Sequence, residues 1–162
     1  TEERETKMFV WLEGTPVALW VSLSLWAYPL LLSVHIVGLA VVVGIFSIRD
    51  MRLLGLFRGL NPAAFLSLSK LAWVGFIINA ISGLLLFTSQ AVTFVGNVPF
   101  LLKISCIIAG MILAGIIQTR LRGELSSAGS NTVISRPTKM IAAVSLSLWT
   151  AAIITGRLIA YL

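Results

Sequence analysis

Apolar residues run in long unbroken stretches along this chain, with no alternation and little one-faced periodicity. The longest stretch, Gly14 to Ile48, contains no Asp, Glu, Lys or Arg. As one helix it would measure roughly 52 Å at 1.5 Å per residue, against a hydrocarbon core of about 30 Å. It must bend, tilt or break. Pro29 is the expected place, because proline lacks a donor and disfavours helical geometry at Tyr28, while Trp20, Trp26 and Tyr28 suit the headgroup level. The pattern predicts an interfacial helix over 16–25 and a first span over 29–48. Three more spans are expected at 71–89, 99–119 and 140–162. Continuous apolar runs argue against the alternating strands of a barrel. The fold expected is therefore all-α: an integral membrane four-helix bundle with an additional N-terminal interfacial helix, one transmembrane domain over 1–162.

Composition supports the same class. Hydrophobic residues make up 58% of the chain and charged residues 11%, too little charge to cover a soluble domain. The net charge of +6 is concentrated beside apolar segments, where positive charge records membrane orientation, so no nucleic-acid partner is expected. The connection 49–70 carries Arg49, Arg52, Arg58 and Lys70 against Asp50, and the connection 120–139 carries Arg120, Arg122, Arg136 and Lys139 against Glu124. The segment before the first span is mostly acidic, and 90–98 is uncharged. Both basic connections are thus expected in the cytoplasm and both termini outside, in a bacterial inner membrane. No basic region precedes a short apolar core at the start, so no signal peptide is read there. Cys106, the lone cysteine, excludes an intrachain disulfide.

Small residues recur at helix-packing spacing in Ala40 and Gly44, Gly110 and Ala114, and Ala152 and Gly156. Such pairs let helix backbones approach where no hydrophobic effect drives association.

The candidate chemistry centres on His35, the only histidine, because an ionisable imidazole within a span is costly and points to function. Counted from the outer ends of the spans, His35, Ser82, Cys106 and Arg157 lie at similar depths, roughly 7 to 11 Å, with Lys103 shallower and Asn79 deeper. They are expected to form one polar layer. Such an imidazole could ligate haem b, with Arg157 and Lys103 neutralising the propionates and Gly38 removing a side chain that would press on the ring. A second imidazole ligand would have to come from another chain, so a homo-oligomer or a larger membrane complex is expected. The plainer alternatives are that His35 bonds a carbonyl or hydroxyl between helices, that Lys103 and Arg157 snorkel, and that Cys106 is a small buried apolar residue. Copper on His35 and Cys106 would be an incomplete site, because Met111 and Met140 lie too deep. No metalloprotease, phosphate-loop or nucleophile-elbow motif is present, and every Asp and Glu is expected in the N-terminal segment or a loop.

Several stretches resemble an uncharacterised family of small bacterial four-span membrane proteins known only as a domain of unknown function. They are Trp26-Ala27-Tyr28-Pro29, Ser33-Val34-His35-Ile36-Val37-Gly38, Asp50-Met51-Arg52-Leu53-Leu54-Gly55, Gly75-Phe76, Ser82 to Phe87, Asn97 to Phe100 with Lys103, and Gly156 to Tyr161. The resemblance implies an architecture and a shared polar layer, but no activity. The arrangement is also similar in kind to four-span b-type cytochromes and copper-resistance membrane proteins, although one histidine excludes bis-histidine ligation within the chain. The function expected is a membrane subunit binding haem b through His35 and passing electrons near the outer face. A cofactor-free structural or transport bundle and a copper-binding membrane protein are the alternatives.

Overall fold

The computed structural model describes residues 2–128, 134–159 and 161. Within them the chain forms seven helices: α1 (Glu2–Glu13), α2 (Pro16–Leu23), α3 (Ala27–Leu53), α4 (Ala64–Thr88), α5 (Ala91–Val95), α6 (Val98–Ala128) and α7 (Arg136–Leu158). Four of these, α3, α4, α6 and α7, are long and apolar enough to cross a membrane. The expected end of the last span reaches Ala160 and Leu162, and the second basic connection includes 129–133. Those positions lie outside the described residues.

The break in the long apolar run falls at Ser24–Trp26, not at Pro29. Ser24 is extended, with φ −74° and ψ 129°. Pro29 sits in the first turn of α3, where a backbone N–H has no intrahelical acceptor, so its missing donor costs nothing and Tyr28 stays helical. α2 opens on a Thr15 cap, whose hydroxyl accepts from the Ala18 N–H, with Pro16 at the first helical position. α1 has no counterpart in the hydropathy pattern, because its polar N-terminal half gives no apolar periodicity.

The spans are longer than hydropathy suggested. α3 runs through Arg49 and Asp50 to Leu53, because these two charges pair with each other inside the bundle and need not leave it. α4 begins at Ala64, after a connection in which Gly55 takes the left-handed φ of 104° and the Arg52 guanidinium donates to the Leu60 carbonyl. α6 is capped by the Asn97 side chain, which accepts from the Phe100 N–H, and it continues well past Thr119. Glu124, near its end, accepts hydrogen bonds from the Ser135 and Thr138 hydroxyls and so fastens α6 to the start of α7.

Residue pairings give the topology. His35 lies against Gly83 and Gly38 against Gly75, so α3 and α4 are antiparallel. Lys103 lies against Gly156 and Gly110 against Trp149, so α6 and α7 are antiparallel too. Phe46 stacks on Trp149 at 5.7 Å between centroids, joining α3 to α7. The core there contains Val42, Phe46, Ala72, Met111, Ala114 and Trp149. Between α4 and α6 an open apolar groove of about 450 Å³ is lined by Trp73, Met111, Ile112, Gly115, Ile116 and Thr119.

At the end of the bundle nearest His35, Phe87, Phe94 and Phe100 stack on one another with centroids 5.1 to 6.4 Å apart, and Phe9 meets Phe87 edge-on. The Glu13 carboxylate accepts from the Val92 N–H, which ties α1 to α5. α2 buries Ala18 and Val21 while leaving Val17, Leu19, Trp20 and Leu23 exposed.

Candidate functional site

Two of the three small-residue pairs lie where helices meet. Gly110 faces the Trp149 ring and Gly156 faces the Lys103 stem, with Ala114 and Ala152 buried beside them. Gly44 has open space around it and Ala40 is exposed, so that pair faces outward. A further close approach, between α3 and α4, involves glycines on different helices rather than a spaced pair on one. A Cβ added at Gly38 would stand 3.1 Å from both the Asn79 nitrogen and the Gly75 oxygen, and one at Gly75 would stand 3.0 Å from Val41 Cγ1. Gly38 thus lies directly beneath the α4 backbone, where any side chain would be crowded.

This crossing sets the position of His35. Its Nδ1 lies 3.0 Å from the Asn79 carbonyl oxygen and 3.2 Å from the Ser82 hydroxyl. A carbonyl can only accept, so Nδ1 carries the proton and donates; Ser82 in turn donates to the Ile78 carbonyl at 2.7 Å. In the neutral form of the ring the lone pair is then on Nε2, which has no hydrogen-bond partner among the described residues. A carbonyl bonded to one ring nitrogen is what fixes the tautomer of a metal-ligating histidine, and it is equally a satisfied interhelical contact.

The expected polar layer is assembled in part. His35, Asn79 and Ser82 come together, while Lys103 stands on α6 with its side chain against α7. The Lys103 stem covers Gly156, and its ammonium has no hydrogen-bond or ion-pair partner among the described residues. Arg157 is not part of this group. It is exposed and turns along its own helix, donating to the Tyr161 hydroxyl at 2.8 Å, with its guanidinium carbon 5.2 Å from that ring's centroid. Cys106 is half-buried on α6, and no three His, Cys, Asp or Glu side chains cluster for a metal ion among the described residues.

Sequence reasoning placed Arg49 and Asp50 in a loop, and this is corrected. Both are buried in α3, at 2% and 0% exposure. Arg49 Nε and Nη2 donate to Asp50 Oδ1 at 2.9 and 2.8 Å, Nη1 donates to the Ala114 carbonyl at 3.2 Å, and the guanidinium lies 4.7 Å from the Phe46 ring centroid. The reading that no carboxylate lies within a span is thereby overturned. The available signal was the absence of any helix-breaking residue between Ile48 and Leu53, which lets the helix continue through the charges.

The geometry defines a multi-pass helical membrane protein with one oriented imidazole near one end and one internal ion pair near the other. The chain belongs to a family of unknown function, DUF6644, whose family model matches residues 25–162. No curated protein and no solved structure matches it.

Proposed function

We propose that this protein is a membrane subunit in which His35 would be the protein ligand of haem b, serving electron transfer near the end of the bundle carrying α1, α2 and α5. The observation that carries this reading is the Nδ1 hydrogen bond to the Asn79 carbonyl, which orients the ring and, in its neutral form, puts the lone pair on Nε2. When bound, haem would supply one-electron chemistry. The chain's own part is to hold the imidazole through Asn79 and Ser82 and to offer the Lys103 ammonium to a propionate. Arg157 would contribute a second cation only by releasing Tyr161. One histidine per chain calls for a second ligand from a neighbour, so the reading includes a homo-oligomer or a larger complex.

The basic connections support an orientation with both termini outside a bacterial inner membrane. Arg49 no longer counts toward this, being neutralised inside the bundle, but Arg52, Arg58, Lys70, Arg120, Arg122, Arg136 and Lys139 still do. In that orientation the exposed apolar face of α2 would lie in the outer interface.

The test is the absorption spectrum of the protein purified from membranes. A Soret band that scales with protein supports the assignment, and its absence from protein expressed with sufficient haem overturns it. The second reading, a cofactor-free transport or structural bundle, is favoured by the buried Arg49–Asp50 pair, since ionisable groups inside spans mark transport pathways as readily as cofactor sites.

A further inference from the structure

At the end of the bundle away from His35, one side of the internal ion pair is incomplete. Asp50 Oδ1 accepts two bonds from Arg49, but among the described residues Oδ2 has no hydrogen-bond partner, and neither do Ser145 Oγ and Trp149 Nε1. All three residues are at most 1% exposed. Ser145 and Trp149 stand four residues apart on one face of α7, where side chains are neighbours. Trp149 stacks on Phe46, one turn from Asp50, and Ser145 faces the Asp50 carboxylate without completing a direct bond. Asp50 on α3 and Ser145 and Trp149 on α7 thus bring into the packed interior an acceptor that lacks a donor, a donor that lacks an acceptor, and a hydroxyl able to do both, with the indole edge next to Nε1 turned toward Gly110 of α6. Leaving such groups unbonded in a span is costly.

We infer that Asp50 Oδ2, Ser145 Oγ and Trp149 Nε1 form a binding site for a small neutral hydrogen-bonding molecule, and that this molecule is water. Charge decides the class. The Arg49–Asp50 pair is already neutral, so an added cation would meet the guanidinium and an added anion would meet Oδ2. A neutral molecule that donates to Oδ2 and accepts from the indole satisfies these groups with no charge left over. Asp50 lies three residues from the end of α3, roughly 5 Å along the axis, so water has a short way in from the basic connections.

The experiment is radiolytic hydroxyl-radical footprinting of the full chain in lipid nanodiscs, read by mass spectrometry. Water bound at a side chain generates the radical in place, so a buried residue beside it is oxidised. Trp149 is expected to be modified at a rate comparable with the exposed Trp20 and Trp26, although it is 1% exposed against 58% and 69%. Leu53 and Ile117, equally buried and apolar, should stay unmodified and report that the bundle is intact. Ser145→Val, which removes the hydroxyl and fills the space, should reduce Trp149 oxidation several-fold while Trp20 oxidation is unchanged. An unmodified Trp149 in a sample whose Trp20 and Trp26 are oxidised would overturn the proposal. So would a saturable change in Trp149 oxidation with sodium or chloride at constant ionic strength, which would make the occupant an ion.

Discussion

The His35 ring rests on Gly83: a Cβ at that position would stand 2.9 Å from Cε1 and 3.2 Å from Nδ1, so the glycine of α4 is the floor on which the α3 imidazole is oriented. Gly83→Ala must push the ring away from the Asn79 carbonyl, which should weaken whatever His35 binds while changing stability little, because a side chain can move. At Gly38 the obstacles are backbone atoms of Asn79 and Gly75, which cannot. Gly38→Ala should lower stability by about 1–3 kcal/mol, as overpacking does. Thermal unfolding in detergent separates the two, and equal melting temperatures would refute the distinction.

Replacing His35 by alanine should abolish haem binding and leave membrane insertion intact, since run length sets insertion and no other side chain in that layer offers an equivalent ligand. Arg157→Ala should cost much less, because its guanidinium is bonded to Tyr161 and stands apart from the imidazole. The measurement is Soret absorbance per unit of folded protein. A haem-loaded His35→Ala protein would sink the ligation.

Breaking the internal ion pair should be among the most damaging single changes in the chain. Arg49→Ala leaves a buried carboxylate unpaired, and Asp50→Ala leaves a buried guanidinium, each costing about 3–5 kcal/mol. The double variant Arg49→Met with Asp50→Leu, which removes both charges, should recover most of that loss. If either single variant unfolds in detergent at the parent's midpoint, the pair carries none of the stability assigned to it.

Orientation is open to cysteine labelling in a Cys106→Ser background. Thr93→Cys, exposed on α5, should react with an impermeant thiol reagent in intact cells, whereas Gly59→Cys, exposed in the connection after α3, should react only after lysis. The opposite pattern reverses the topology.

A single histidine per chain also sets an expectation about assembly. The mass in mild detergent should exceed that of one chain, and cofactor content should fall when the assembly is dissociated. A monomer with full cofactor content contradicts a ligand drawn from a neighbour.

Run length and hydropathy were enough to settle the class and the number of spans, because a bilayer demands about twenty apolar residues per crossing and little in an ordinary soluble sequence imitates that. The caps were a local signal that the hydropathy reading did not use: Thr15, Asn97 and Ser135 each stand one residue before a helix, and a local hydrogen bond needs only local sequence. What lay beyond the sequence were relations between helices. Arg49 and Asp50 read as loop charges because their mutual neutralisation depends on the α3, α6 and α7 groups packed around them. Depth counting put His35, Ser82, Cys106 and Arg157 at one level, with Lys103 shallower and Asn79 deeper, but depth is one coordinate; His35 meets Ser82 and Asn79, whereas Arg157 faces elsewhere, because the rotation of α7 is set by Gly110 on Trp149 and Gly156 on Lys103. Sequence alone determined that this chain crosses a membrane four times with a histidine inside. Only tertiary packing decided which ring nitrogen is free and which charges are buried, because rotation about a helix axis is fixed by contacts with other helices.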